Sequence, residues 1–520
     1  MFTFYWLLQN ESSFTAVLKT ENEVQVITDR ESLKKALDSV GYLVSFGNYS
    51  TMDKQLALLL SNNKSKYLQK NISLDLSQEL GNKTIEEIGF RLGHDLKAKT
   101  AKDFCQKRIE ICEYIFSKRE EYLESKFQIV KEFDLDPRFV MKTRAGLAAE
   151  VLKAKKQPKA PNVLMYDYDK RIYLNELPEK LINFYNNIKK QYIIDKDEKI
   201  KSEKIKMTLC GLTHTFGFGG VHAAKEKYKG SGNFLLIDVR QFFPSLILNN
   251  NFLSHAVKEK QIYKKLYDKK VDTEQETYKV LIAAVNGAMN NSYSNLYDPQ
   301  KFYAVTVNGQ LIITHLITLL ENFIEELIQT NTDGILVKIN PAFESLINDL
   351  LSRWSKHYEL DLKVTKIKNV WQRDVNNYIL EKTSGEFIKK GIYSDVDYLS
   401  SAIPVIPAAL NAYMLKGIKP QTFLIDVFKS ETIEQFYYIG KIARGYDAIE
   451  QQVGRSYKKL NNTVCGIATS NKKLGGIYQT KNDLHSKLPG SPVHFLPYDR
   501  ATKKDIDMSW YIEEVEKFIF

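Results

Sequence analysis

Two apolar segments, LLIDVRQFFPSLIL at 235–248 and LIQTNTDGILVKI at 327–339, constrain the fold of this chain most. Each is a β-type aliphatic run carrying one aspartate, Asp238 or Asp333, at its end or turn. Apolar strands often end in aspartate for turn or capping reasons, so either segment alone reads as structural. Asp333-Gly334 is also a favourable turn dipeptide, so the second segment reads as a β-hairpin. Together they offer two carboxylates on rigid strands, the donor set that phosphoryl transfer with two metal ions requires.

The length of 520 residues suggests about three or four folding units. A hydrophobic content of 43%, with 12% aromatics, is enough to fill their cores. Lysine and arginine number 74 against 63 acids, a net charge of +11, which favours an anionic partner, nucleic acid first. No uninterrupted apolar run reaches the length of a membrane span, so no membrane partner is expected. The opening MFTFYWLLQN lacks a basic flank and a cleavage site and reads as a first strand. Cys105, Cys112, Cys210 and Cys465 have no metal-ligand spacing and are too few for a disulfide framework. A reducing compartment follows, the cytoplasm of a bacterial host.

Residues 1 to 50 read as β-β-β-α-β, and 54 to 156 turn mainly helical. The basic, unpatterned KAKKQPKAPN at 153–162 marks a boundary. Strand character returns over 205–248 around a Gly-rich loop, and a lysine-dense helical stretch, KEKQIYKKLYDKK, follows. QLIITHLITLLENFIEELIQ reads as one long amphipathic helix leading into the second acidic segment.

With these segments in order, the chain resembles the family B DNA polymerases, and most closely their small phage and mobile-element members. DVRQFFPSLIL resembles motif A, D-x-x-S-L-Y-P-S-I-I, with Asp238, Pro244 and Ser245 in register. TNTDG resembles motif C, D-T-D-S, through Thr332 and Asp333. YKVLIAAVNGAMNNSYSNLYDP at 278–299 is similar to motif B, anchored by Lys279 and Gly287. FGFGGVHAA at 216–224 resembles the template loop, with Gly219 and Gly220 as nucleic-acid contacts.

The resemblance implies an α+β multidomain, right-handed polymerase: a palm with an antiparallel sheet, helical fingers and a thumb. An RNase H-like, exonuclease-type domain would precede it. Asp238 and Asp333 would hold two Mg²⁺ ions, with Mn²⁺ as a substitute. The amides just after Asp238, beginning at Val239, would cradle a dNTP triphosphate. Lys279 would meet its phosphates, with Lys264, Lys265, Lys269 and Lys270 supplying one or two further charges. Phe243 stands where the family has the tyrosine that blocks a ribose 2′-hydroxyl. Three departures stand out: Asn331 replaces the first motif C aspartate, Ala283 an asparagine, and Asn286 the tyrosine that packs against the nascent base pair.

In the amino-terminal region the exonuclease motifs would fall on Thr3 and Tyr5, on Asn48 and Asp53, and on Arg108. One acid in four cannot hold two metals, so a degenerate exonuclease is expected. In the carboxy-terminal region WQRDVNNYILEKTSGEFIKKGIY resembles the palm–thumb K-x-Y segment. Tyr378 matches it, Asn376 stands where lysine is usual, and Lys389 or Lys390 would restore the charge. SYKKLNN and SNKKLGG read as backbone-binding loops or as plain surface. The expected boundaries are 1–152 for the exonuclease-like domain, 163–248 and 297–375 for the palm, 249–296 for the fingers and 376–520 for the thumb. The expected activity is primer extension on a DNA template with dNTPs and without proofreading. Template-independent transfer and a retired, DNA-binding fold are the alternatives. An accessory processivity protein would leave no trace in this sequence.

Overall fold

A computed structural model describes residues 2–47, 51–157, 165–191, 204–273 and 275–520. The chain divides into two compact units, one of residues 1–122 with 392–520 and the other of residues 123–391.

The first unit opens with the expected β-β-β-α-β order: strands Phe2–Gln9, Phe14–Lys19 and Val24–Ile27, helix Arg30–Asp38 and strand Tyr42–Ser45. A fifth strand, Ile72–Asp75, completes the sheet. The first strand lies at its centre, antiparallel to the second and parallel to the fourth. Helix Ala101–Lys118 covers the face carrying Phe2 and Phe4, which meet Phe116 edge-on. Alternation along a strand puts Thr3 and Tyr5 on the opposite face, where both are buried. In the carboxy-terminal part, helices Val405–Lys416 and Pro420–Ser430 precede two antiparallel sheets of three and four strands.

The second unit is organised by a seven-stranded sheet. Its spatial order is Phe387–Lys390, Asn377–Lys382, Leu362–Asp374, Tyr228–Val239, Gly334–Lys338, Glu326–Asn331 and Ala223–Ala224. Every pairing is antiparallel. One face holds a core of Phe234, Ile328, Leu336, Ile367, Val370 and Leu380. The sheet continues to Lys390, past the boundary expected at 375. Residues 123–152, expected with the amino-terminal domain, cluster in this second unit instead. There Thr277 and Tyr278 hydrogen-bond Gln128 and Glu132.

The long apolar helix runs over Pro299–Leu320 rather than 310–329. Asp298 caps its start by accepting from the Lys301 amide, and Pro299 occupies its first turn. Its far end stops because Glu326–Asn331 pairs with Gly334–Lys338. That ladder outweighs the helical periodicity of ENFIEELIQ. The helix is long and apolar enough to cross a membrane, yet its apolar window is 89% buried within the fold.

Candidate active site

Antiparallel pairing sets Gly334 opposite Asp238, and the Val239 amide donates to the Asp333 carbonyl at 2.7 Å. The two aspartates are thus diagonal neighbours, one ending a central strand and the other in the adjoining turn. The turn is Thr332-Asp333, since Asn331 already pairs with Gly334. Gly334 therefore serves close approach rather than turn geometry. A Cβ there would stand 2.4 Å from the Ile237 carbonyl oxygen and 2.7 Å from Asp238 Oδ1. Burial, then the charge of Asp333, pushes the Asp238 carboxyl up to about 6, with Lys363 pulling it down. Lys363 faces Asp238 directly across the strand pair.

Beyond Asp238 the chain reverses at Gln241, held in the left-handed region at φ 50°, and enters helix Phe242–Asn249. The amides of Val239 and Arg240 are already used, by the Asp333 and Asp361 carbonyls. The expectation that Val239 begins an amide cradle is therefore corrected. In the helix's first turn, Phe242 and Phe243 carry amides with no intrahelical acceptor, and Pro244 carries none.

A cavity of about 310 Å³ opens beside these residues. Segment 239–244 forms one wall and Thr332 with Asp333 another. The third is helix Glu276–Met289, which presents Lys279, Ala283, Asn286 and Gly287 at the expected i, i+4, i+7 and i+8 positions. Asn286 Oδ1 is buried there without a hydrogen-bond partner among the described residues. Phe243 lines the cavity, stacked at 22° on Phe242. Of the lysines on helix Gln261–Thr273, Lys270 reaches the cavity. Lys264 does not: it is exposed and pairs with Asp268 at 2.9 Å one helical turn on. Lys269 pairs with Glu132.

The Gly-rich loop sits against the acidic turn. A Cβ on Gly220 would fall 1.9 Å from Thr332 Oγ1, whereas one on Gly219 would meet nothing within 4 Å. Gln310, from the buried helix, holds this loop by donating to the Gly217 and Gly219 carbonyls at 2.8 Å. It also accepts from Tyr185 at 2.9 Å. Sequence reasoning missed Gln310, although a glutamine inside an apolar helical run signals a buried polar group in need of partners. Lys363 was missed too, and nothing in LKVTKIK singles it out.

Tyr378 comes close to the acidic pair. Burial, then the charge of Asp238, raises its hydroxyl, and a hydrogen bond with Asn331 opposes this. Asn331 thus supports Tyr378 from the position where the resembled motif has an acid. Lys390 pairs opposite Tyr378 and shares its face, while Lys389, one residue along, points to the other face.

In the first unit, Tyr5 donates to Asp53 Oδ1 at 3.1 Å and Ser73 to the same atom at 2.9 Å. Asp53 is 1% exposed, and burial pushes its carboxyl up against those two hydrogen bonds. Thr3 is buried on the same strand face. Asn48 lies outside the described residues. Arg108 is not part of this cluster: it lies over the rings of Phe104 and Trp6 and pairs with Glu86 at 3.1 Å. Trp6 alternates with Tyr5, so Arg108 occupies the opposite side of the sheet. Its expected alignment with a third exonuclease motif is corrected on that ground.

Among solved structures, the chain is similar to the family B DNA polymerase from the hyperthermophilic archaeon Pyrobaculum calidifontis. Identity is 11% and the TM-score 0.49, over 100% of this chain and 77% of that one. No protein-family model and no curated protein matches the sequence.

Proposed function

We propose that this chain is a template-directed DNA polymerase that extends a primer 3′-hydroxyl with dNTPs and has no proofreading exonuclease. The observation that carries the reading is the cavity: Asp333, the turn after Asp238, and the Lys279 helix face line one space of nucleotide-binding size. In the reaction the primer 3′-oxygen bonds to the α-phosphorus, the bond to pyrophosphate breaks, and the hydroxyl proton passes to solvent water.

The residues fit a pair of Mg²⁺ or Mn²⁺ ions. Two hard carboxylates stand side by side, and one is raised by burial and by the other's charge, so the site favours added cations. Bound ions would neutralise the phosphates and the activated hydroxyl. Asp238 and Asp333 would hold them. Lys279 and Lys270 would meet the triphosphate as point charges, and the Phe242 and Phe243 amides would donate to it from the helix N-terminus. The Phe243 ring would lie under the sugar and exclude a 2′-hydroxyl. Tyr378 and Lys390 would steady the primer end, and the Gly219-Gly220 loop the template, without reading sequence.

The amino-terminal sheet, with its parallel pairing of the first, fourth and fifth strands, supports reading this part as RNase H-like. Asp53, the one acid at the matched motif positions, accepts from two hydroxyl donors, which supports a scaffold role over metal-dependent hydrolysis. Ala283 and Gly287 put small residues on the cavity wall, which favours template-independent addition as the second reading.

Primer extension with each dNTP singly, on four templates differing in the next base and on primer alone, tests the proposal. Addition dictated by the template base supports it, with a 3′-mismatched primer left unshortened. Equal addition of all four dNTPs on primer alone would replace it with terminal transfer. Absence of any addition would refute both.

A further inference from the structure

The four-stranded sheet of the first unit presents a surface that the proposed catalysis does not use. Its order is Ser456–Lys459, Ala448–Val453, Ile477–Lys481 and Leu484–Lys487. Both edge strands are exposed at all four positions. The registers place Tyr457 opposite Gln452, Lys459 opposite Glu450, Glu450 opposite Tyr478, Lys487 opposite Tyr478, and His485 opposite Thr480. Tyr457, Lys459, Tyr478, His485 and Lys487 therefore share one face. The other face turns Ile449, Gln451 and Ile477 into the core.

On the outer face, rings from the two edge strands meet above the central ones. Tyr457 stacks on His485 at 3.8 Å and 26°, and Tyr478 stands edge-on to Tyr457 at 5.8 Å. His485 is oriented by Glu450 at 2.9 Å. Tyr457 remains 40% exposed despite that stack. Residues 444–487 hold eight lysines and arginines against three acids. None of the eight makes an ion pair among the described residues, where the pair in this stretch is His485–Glu450; Lys459 and Lys487 share the ring face, whereas Lys458 and Lys481 alternate to the other. Aromatic rings that stay exposed beside the unpaired Lys459 and Lys487 are costly for a sheet surface that serves only as a wall.

We propose that this face is a binding site for single-stranded nucleic acid. Bases would stack on Tyr457 and its ring partners, and Lys459 and Lys487 on the same face, with Arg455 at its edge, would track the phosphates. Every base has a π-face, so such a platform tolerates any sequence, while a duplex keeps its bases inside and offers the rings nothing. Unpaired template is the ligand this chemistry suits. An acidic protein surface would use the cations but not the rings.

The test is fluorescence anisotropy with the full chain, a labelled 20-nucleotide mixed-sequence single strand, and the same sequence as duplex, without dNTPs. The readout is thus independent of whether the chain extends primers. Tyr457→Ala and His485→Ala are each expected to weaken single-strand binding by about 5- to 150-fold, with duplex binding within twofold of the parent. Tyr457→Phe keeps the ring and is expected to bind as the parent does. Because Tyr457 and His485 lie on exposed edge strands, the fold tolerates both truncations. Single-strand binding that is unchanged in both Ala variants would overturn the proposal. So would equal losses on single strand and duplex, which would reduce the face to a phosphate-binding patch.

Discussion

Gly220→Ala should disable the proposed catalytic centre without touching a carboxylate. The added Cβ would lie 1.9 Å from Thr332 Oγ1, 2.9 Å from Thr332 Cβ and 3.0 Å from His222 Nε2. Relief to an ordinary contact requires the loop and the turn to separate by about 1.5 Å. The loop cannot yield freely, because Gln310 ties the carbonyls on either side of Phe218. The movement therefore falls on Thr332, whose neighbour is Asp333. A misplacement of about 1 Å at reacting groups can cost on the order of 100-fold in rate, whereas the overpacking costs about 1–3 kcal/mol in stability. Single-turnover nucleotide addition should thus fall about 100-fold, with the urea midpoint lowered only moderately. Adding Thr332→Gly removes both clashing side-chain atoms and should restore at least about tenfold. Gly219→Ala meets no atom within 4 Å, so its loss should be at least about tenfold smaller. A Gly220→Ala variant as fast as the parent, or one that Thr332→Gly fails to improve, would refute the proposed coupling of loop and turn.

Asp53→Asn keeps an acceptor for Tyr5 and Ser73 and removes a buried charge whose carboxyl burial has raised. It should raise the thermal midpoint and leave primer extension intact; a lowered midpoint would contradict a scaffold role. Lys270→Ala should raise KM for dNTPs severalfold and Lys264→Ala should not, since Lys270 lines the cavity and Lys264 pairs with Asp268 away from it; steady-state kinetics decide this, and equal effects would argue against the assignment. His214 is buried between Thr330 and the Leu212 carbonyl, and burial lowers its pKa to about 4. Below its ordinary pKa the unfolded chain binds a proton that the folded chain refuses, so stability is full above about 6.5 and falls as pH drops towards 4. Between pH 7.5 and 5 this loss amounts to about 2 kcal/mol. Urea titrations should show it reduced in His214→Gln, and an identical pH response in both proteins would contradict it.

The two acidic segments were legible because both are short apolar strands, where period-two patterning and a fixed break are strong local signals. The face of Lys279, Ala283, Asn286 and Gly287 was legible because helical spacing is a property of sequence alone. Failures came where long-range contacts decide. Nothing in ENFIEELIQ announces that a hairpin partner will claim its second half. Nothing in the lysine-dense helix tells Lys264 from Lys270 before the helix is docked. Arg108 was misplaced because aligning a motif fixes chain position but not which side of a sheet a covering helix takes. Gly334 was credited to a turn when its role is to let Asp238 approach, a requirement visible only once the strands are paired. Val239 failed similarly, since its amide is taken by the Asp333 carbonyl.

The most direct measurement is single-turnover incorporation of one templated nucleotide by the parent, Asp238→Asn and Asp333→Asn, with DNA binding followed in parallel. Each variant is expected to bind primed DNA within about threefold of the parent. Each is expected to add the nucleotide at least about 1,000-fold more slowly, because either loss removes half of the carboxylate pair. Parent-like incorporation by either variant would contradict the claim that Asp238 and Asp333 form the catalytic centre.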